Sequence, residues 1–186
     1  MVNQEHLIKQ CQAGNLDEFT RLYDEFFDKI YRFIYYKTHH RETAEDLTSQ
    51  TFVKALEKIN TFDFNKGMFS SWIYRIARNK VIDYYRTRKI EFDIDDVWNL
   101  GKDENMARDM DNLDKLKQVS KYLKELKPEQ REIVIMRIWD GLSYREISEI
   151  IGQSQDNCKM IFSRVINKLR GEIPLTILIS LLIRNL

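Results

Sequence analysis

Between residues 16 and 37 the apolar positions Phe19, Leu22, Tyr23, Phe26, Ile30, Phe33 and Ile34 recur at three-to-four spacing, the signature of one buried helix face. A shorter helix is predicted before it, over residues 4–13, ending at Gly14. A third is predicted from Thr43 to about residue 60, opened by a Thr43-to-Asp46 capping box, with Leu47, Phe52, Ala55, Leu56 and Ile59 turned inward. Residues 60–67 then form a loop. A fourth helix runs from Phe69 to Lys89. Laid out at 100° per residue, it gathers Phe69, Ile73, Ile76, Ala77 and Tyr84 on one face. Arg75, Arg78, Asn79, Arg86 and Lys89 gather opposite, while Lys80 falls within the apolar face and must extend outward.

The pattern lapses over residues 91–114 and resumes at Lys127. Pro128 suits the first position of a helix, and Glu129 and Glu132 sit where the helix dipole favours acids. Asp140-Gly141 stops that helix. Ser143-Tyr144-Arg145-Glu146 is a capping-box pattern that starts a short second one, carrying Ile147, Ile150 and Ile151 inward. Gly152 turns the chain into a third helix with Cys158, Phe162, Val165 and Leu169 on its inner face. The expectation is an all-α chain with two small helical domains, residues 1–90 and 112–172, joined by a flexible linker over 91–111 and followed by a tail over 173–186. Short helix, glycine turn and longer helix is the helix-turn-helix arrangement, although any small three-helix bundle shares it.

Charge sharpens this picture. The net charge is +1, yet residues 91–114 hold nine acids against Lys102 and Arg108, leaving the rest of the chain about eight charges positive. Within 69–89, five aromatics and six bases meet a single acid, Asp83. A basic face beside aromatic rings can neutralise phosphates and stack on unpaired bases, as single-stranded nucleic acid requires. The same stretch also describes a core helix with a solvated basic back. Cys11 and Cys158 are far apart and unpaired in spacing, which fits a reducing compartment without a disulfide or zinc framework. His6, His39 and His40 have no companion ligands and read as surface residues. Glu5 and Lys9 interrupt any amino-terminal apolar run, so no signal peptide is expected.

No nucleophile elbow, phosphate loop, paired acid and base or metal triad is visible, so no catalytic residue, cofactor or metal is assigned. A divalent-metal site at Asp93, Asp95 and Asp96, with nuclease activity, lacks partner ligands elsewhere. After Pro174 the tail LTILISLLIRNL is too short to span a bilayer as a helix, which takes about 20 residues. It packs on the last domain, binds a partner, or begins a longer membrane segment.

Three motifs carry a resemblance. Phe69-x-x-Trp72-Ile73-x-Arg75-Ile76-Ala77-Arg78-Asn79 is similar to the promoter-melting helix of bacterial RNA polymerase sigma factors. Ala44-Glu45-Asp46-Leu47 with Thr51-Phe52 resembles their polymerase-clamp signature. Leu126-x-Pro128-x-Gln130-Arg131-Glu132, followed by Gly141-Leu142-Ser143-Tyr144-x-Glu146-Ile147, resembles their helix-turn-helix. Order and separation also agree with that family over residues 5–90 and 112–171, and the short two-domain layout resembles its extracytoplasmic-function (ECF) subgroup.

The resemblance implies that residues 1–90 bind core polymerase and recognise and melt the −10 element, and that 112–172 recognise the −35 element. Phe64, Asn65 and Lys66 would touch a flipped −10 base, with Arg75, Arg78, Asn79 and Arg86 on its backbone and Phe69 and Trp72 packed beneath the loop. Glu45, Asp46, Leu47, Gln50 and Phe52 would meet the polymerase. Ser143, Tyr144, Arg145, Gln155, Asp156, Asn157, Lys159, Met160, Ser163 and Arg164 would face −35 DNA, with Asn167 also outward. The acidic linker would thread the polymerase channel that later carries RNA. A cytoplasmic location is implied, and an anti-sigma factor, membrane-bound or not, joins polymerase core and promoter DNA as a partner.

The chain departs from the family pattern at Ser49 and Gln50, where glutamine and an acid are usual. In the recognition helix, Asn157-Cys158-Lys159-Met160-Ile161 stands where T-V-K-[ST]-R is common. The missing arginine removes a donor, and each lost base contact costs about 1–3 kcal/mol of discrimination. The rival reading is a stand-alone helix-turn-helix regulator that acts without polymerase.

Overall fold

The computed structural model describes residues 4–38, 40–88, 125–138 and 140–172. The chain divides into two units, with the boundary after Phe92. The acidic linker, the Asp93, Asp95 and Asp96 cluster, Lys89 and the apolar tail lie outside the described residues. The described residues are helical throughout apart from turns and short connections, so the chain is all-α.

The first unit holds α1 (Gln4–Gln12), α2 (Asp17–Thr38), α3 (Arg41–Lys58) and α4 (Phe69–Arg88). Two short 3-10 turns, Ile59–Thr61 and Phe64–Lys66, lie between α3 and α4. The apolar stripe of α2 is buried at Phe19, Leu22, Phe26, Ile30, Phe33 and Ile34, against Leu47, Phe52 and Ala55 of α3 and Phe69, Ile73, Ala77 and Val81 of α4, whereas Tyr23, expected on the same face, is exposed. Edge-on ring contacts fasten the seam, with Phe26 to Phe69 at 5.4 Å and Phe33 to Tyr74 at 5.1 Å. Tyr74 is fully buried. The buried arc of α4 is therefore wider than the predicted stripe, taking in Tyr74 and Val81 and leaving Ile76 at its margin.

A row of rings one turn apart (Tyr23, Phe27, Tyr31, Tyr35) runs along α2, and Tyr23 lies 4.7 Å from Phe52. Gln12 of α1 donates to the carbonyls of Ile59 and Phe62, at 3.0 and 2.9 Å, and so pins the start of the α3–α4 connection.

Helix α3 begins earlier than the sequence predicted. His40 is its N-cap in extended conformation, and its Nδ1 accepts the Thr43 backbone N–H at 3.3 Å. The imidazole thereby supplies the acceptor that Thr43 was expected to provide. Thr43 instead sits inside the helix, its hydroxyl 3.1 Å from His40 Nδ1 and 3.4 Å from the Tyr84 hydroxyl of α4.

The second unit contains α5 (Pro128–Ile138), α6 (Tyr144–Ile151) and α7 (Gln155–Glu172). The capping box that starts α6 is complete: Ser143 Oγ accepts from the Glu146 N–H at 3.2 Å, and Glu146 Oε2 accepts from the Ser143 N–H at 2.8 Å. Gly152, at φ +81°, closes α6 in the left-handed region where a side chain would be strained. Ile133, Met136, Ile147, Ile150, Cys158, Val165, Ile166 and Leu169 form the core. Phe162 and Ile151, both expected inside, are half-buried at its rim.

Candidate nucleic-acid interface

The connection into α4 rests on an aromatic floor. Phe62 lies 5.5 Å from Phe69 and 5.4 Å from Trp72, and Phe64 stands edge-on to Phe62 at 4.8 Å. Asp63 Oδ1 accepts from both the backbone N–H and the side-chain amide of Asn65, at 2.9 and 3.1 Å. Gly67, at φ +151°, occupies a region that side chains rarely adopt and releases the chain toward α4. Phe64 is consequently half-buried, while Asn65 and Lys66 are exposed at the rim. Met68, next along, is exposed as well.

Arg75, Asn79 and Arg86 are exposed along one side of α4 and Arg78 is half-buried. Arg86 pairs with Asp83 at 2.9 Å, an exposed contact of small energetic weight. Ile82 is 41% exposed. At 100° per residue it falls about 20° from Arg75, inside the arginine face. Sorting α4 only into core and charge missed it, although the same helical wheel holds the signal.

The five residues expected to meet polymerase separate into two layers. Glu45 and Asp46 are exposed and Gln50 is half-buried, whereas Leu47 and Phe52 are each 4% exposed and form the core beneath. Arg41 Nε bonds Glu45 at 2.8 Å. Gln50 donates to Asp46 at 2.9 Å and accepts from Lys80 Nζ of α4 at 3.3 Å. Lys80 thus emerges from the apolar seam onto the outer side of α3. Val53, on that same side, is an exposed apolar position the sequence reading did not single out.

In the second unit, Gln155, Asp156, Lys159, Met160, Ser163, Arg164 and Asn167 are exposed along α7 and Asn157 is half-exposed. Ser143 is committed to its capping box. Tyr144 packs 5.9 Å from Phe162, with the Arg137 guanidinium 4.9 Å over its ring. Arg145 is exposed and lies 3.3 Å from Glu149. Burial pushes the Cys158 thiol up from its ordinary range, helped by the nearby Glu129 carboxylate. Among the described residues, no group of His, Cys, Asp and Glu could hold a metal, and no helix is long and apolar enough to cross a membrane.

The family models for Sigma-70 region 2 and Sigma-70, region 4 match residues 22–90 and 116–169. The ECF RNA polymerase sigma factor SigM of Bacillus subtilis is 30% identical over 81% of this chain and 91% of its own length. The chain belongs to the ECF sigma factors. BldN of Streptomyces coelicolor, another of them, is 34% identical over 90% of this chain, which spans 65% of BldN's length. The fold is shared with the sigma factor RpoE of Bartonella quintana, solved in complex with the anti-sigma factor NepR, at a TM-score of 0.60 and 22% identity over 83% of this chain and 95% of that one. In this sigma factor the region 2 match takes in most of α2 and all of α3 and the aromatic-floored loop, while the region 4 match contains α5, α6 and most of α7.

Proposed function

We propose that this sigma factor binds core RNA polymerase in the cytoplasm and directs it to promoters, supplying address and strand opening while the polymerase performs the chemistry. Residues 1–90 act as the domain that grips core and opens the −10 element, residues 112–172 as the domain that docks on the −35 element, and 91–111 as their acidic connection. The observation that carries this reading is the loop before α4, an aromatic floor with an exposed rim beside an arginine-bearing face of that helix.

Extruding a base costs a few kcal/mol, and a shaped pocket must offset that cost. Phe64, Asn65 and Lys66 form the rim of such a pocket, with Phe69 and Trp72 beneath it. Arg75, Arg78, Asn79 and Arg86 hold the strand's phosphates, and Ile82 adds an apolar contact among them. Glu45, Asp46 and Gln50 contact polymerase directly, and Leu47 and Phe52 hold that surface in shape from below.

In the second unit, α7 enters the major groove through Gln155, Asp156, Asn157, Lys159, Met160, Ser163 and Arg164, with Arg145 on the backbone. Ser143 and Tyr144 act mainly by fixing the start of α6. An anti-sigma factor is proposed as a further partner, supported by the complex in which RpoE was solved. A stand-alone regulator would leave the region 2 match and the α4 face without a use.

The test is run-off transcription with sigma-free bacterial core polymerase on a fragmented genomic library, with transcript starts sequenced. Starts sharing two spaced upstream elements are expected. Absence of starts together with absence of core binding in pull-down overturns the proposal.

A further inference from the structure

The start of α7 is tied to α5 by a chain of three side chains. Gln153, in the turn after Gly152, donates its Nε2 to Glu129 Oε1 at 2.6 Å. Its Oε1 in turn accepts from Asn157 Nδ2. The backbone N–H of Asn157 is held by Ser154 Oγ at 3.2 Å, which fixes where the side chain leaves the helix.

The direction of this relay is not free. A carboxylate has no proton to give, so Glu129 can only accept. Gln153 must turn its amide nitrogen toward Glu129 and its oxygen toward Asn157. Asn157 must then spend one of its two N–H groups on Gln153, which anchors the amide nitrogen and leaves Oδ1 wholly unspent for whatever α7 meets. Glu129 also lies close enough to the first turn of α7 to add to the upward push that burial gives the Cys158 thiol.

We propose that Glu129 and Gln153 are positioning residues that orient the Asn157 amide, so that α7 selects a base carrying an amine in the major groove. The inference rests on the promoter reading above, because it takes α7 as the helix in the groove. In that groove the exocyclic amines of adenine (N6) and cytosine (N4) are donors, whereas guanine O6 and thymine O4 are acceptors. A fixed acceptor on Asn157 favours the first pair. Asparagine and glutamine amides are otherwise free to turn over and present either group. Here one acid sets the sense of both amides, although it touches no DNA itself.

The experiment is run-off transcription by full-length sigma factor and core polymerase on templates with a randomised −35 element and a fixed −10 element. Core binding and thermal unfolding are measured on each variant. For the unaltered chain, one −35 position is expected to prefer adenine or cytosine by about fivefold or more, the size of one good base contact. Asn157→Ala flattens that position alone. Gln153→Ala reduces the preference about threefold or more, because the amide regains its rotation.

Glu129→Lys is the decisive variant. A lysine can only donate, so Gln153 turns over, Asn157 turns with it, and the preference moves to guanine or thymine. A role confined to fold stability would lower all templates together and could not reverse a base preference. Should Glu129→Lys unfold the domain, Gln153→Ala, at an exposed turn position, still gives the answer. The inference is overturned if Asn157→Ala flattens a position while Gln153→Ala and Glu129→Lys keep the original preference. It is equally overturned if Asn157→Ala changes no position. Failure of the promoter reading looks different: transcription then ignores the −35 element altogether.

Discussion

His40 holds the N-terminus of α3 with a ring nitrogen, a task more often given to a hydroxyl or carboxylate oxygen. Replacing it with alanine leaves the Thr43 N–H without its acceptor and is expected to cost about 1 kcal/mol. Urea unfolding checks this, with His40→Asp retaining or exceeding the original midpoint because a carboxylate also suits the dipole. Two buried thiols and one half-buried phenol are shifted with the same sign. Burial raises the Cys11 and Cys158 thiols and the Tyr85 hydroxyl, with Glu18, Glu129 and Tyr84 adding to the respective effects. Each folded-state group therefore keeps its proton to higher pH than its unfolded counterpart. Their contribution to stability is complete below the unfolded pKa of cysteine, about 8.5, and is lost as pH rises through the raised values. The urea midpoint should hold steady from neutral pH and fall in alkali, with a shallower fall in a Cys11→Ala, Cys158→Ala variant.

Among the elements, α3 carries the sharpest separation of roles. Phe52 and Leu47 belong to the same motif as Glu45 and Asp46, yet they are buried where those two acids are exposed. Phe52→Ala is expected to destabilise the first unit by about 3–5 kcal/mol, the range for emptying a buried aromatic site. Glu45→Lys combined with Asp46→Lys should leave stability almost unchanged and weaken binding to core polymerase. Unfolding curves and pull-down on both variants decide the matter; equal stability loss in both would refute the two-layer reading. The α2 stripe, the Gly152 turn and the Ser143 capping box were legible in the sequence because each is local, a periodicity or a short cap.

Two features of the same elements were hidden. The burial of Tyr74 depends on Phe33 from another helix, and no spacing within α4 reveals it. The His40 cap displaced the Thr43 reading because an imidazole can accept as well as an oxygen, which lists of common capping residues underrate. The Ala44-to-Phe52 motif groups its residues by sequence alone, and only packing shows which of them face outward.

For the whole molecule the governing fact is segregation of charge, with −7 over residues 91–114 and about +8 elsewhere. Neutralising those acids to Asn and Gln is expected to raise the affinity of the polymerase-free protein for arbitrary duplex DNA. Fluorescence anisotropy should find the gain at low salt and see it fade as the screening length shortens toward 3 Å at 1 M. An unchanged affinity at low salt would mean that the acids do not oppose the basic faces.

The aromatic floor beneath the α4 loop has an optical consequence. Trp72 lies within 5.4 Å of Phe62 and 5.5 Å of Phe69, directly under the rim proposed to trap a base. The chain's other tryptophans are Trp98 and Trp139. With those two replaced by phenylalanine, Trp72 becomes a built-in fluorophore whose emission changes when a base enters the rim and stays constant when polymerase docks on α3. Stopped-flow traces of that single chromophore would time strand capture apart from holoenzyme assembly, without a dye on either partner.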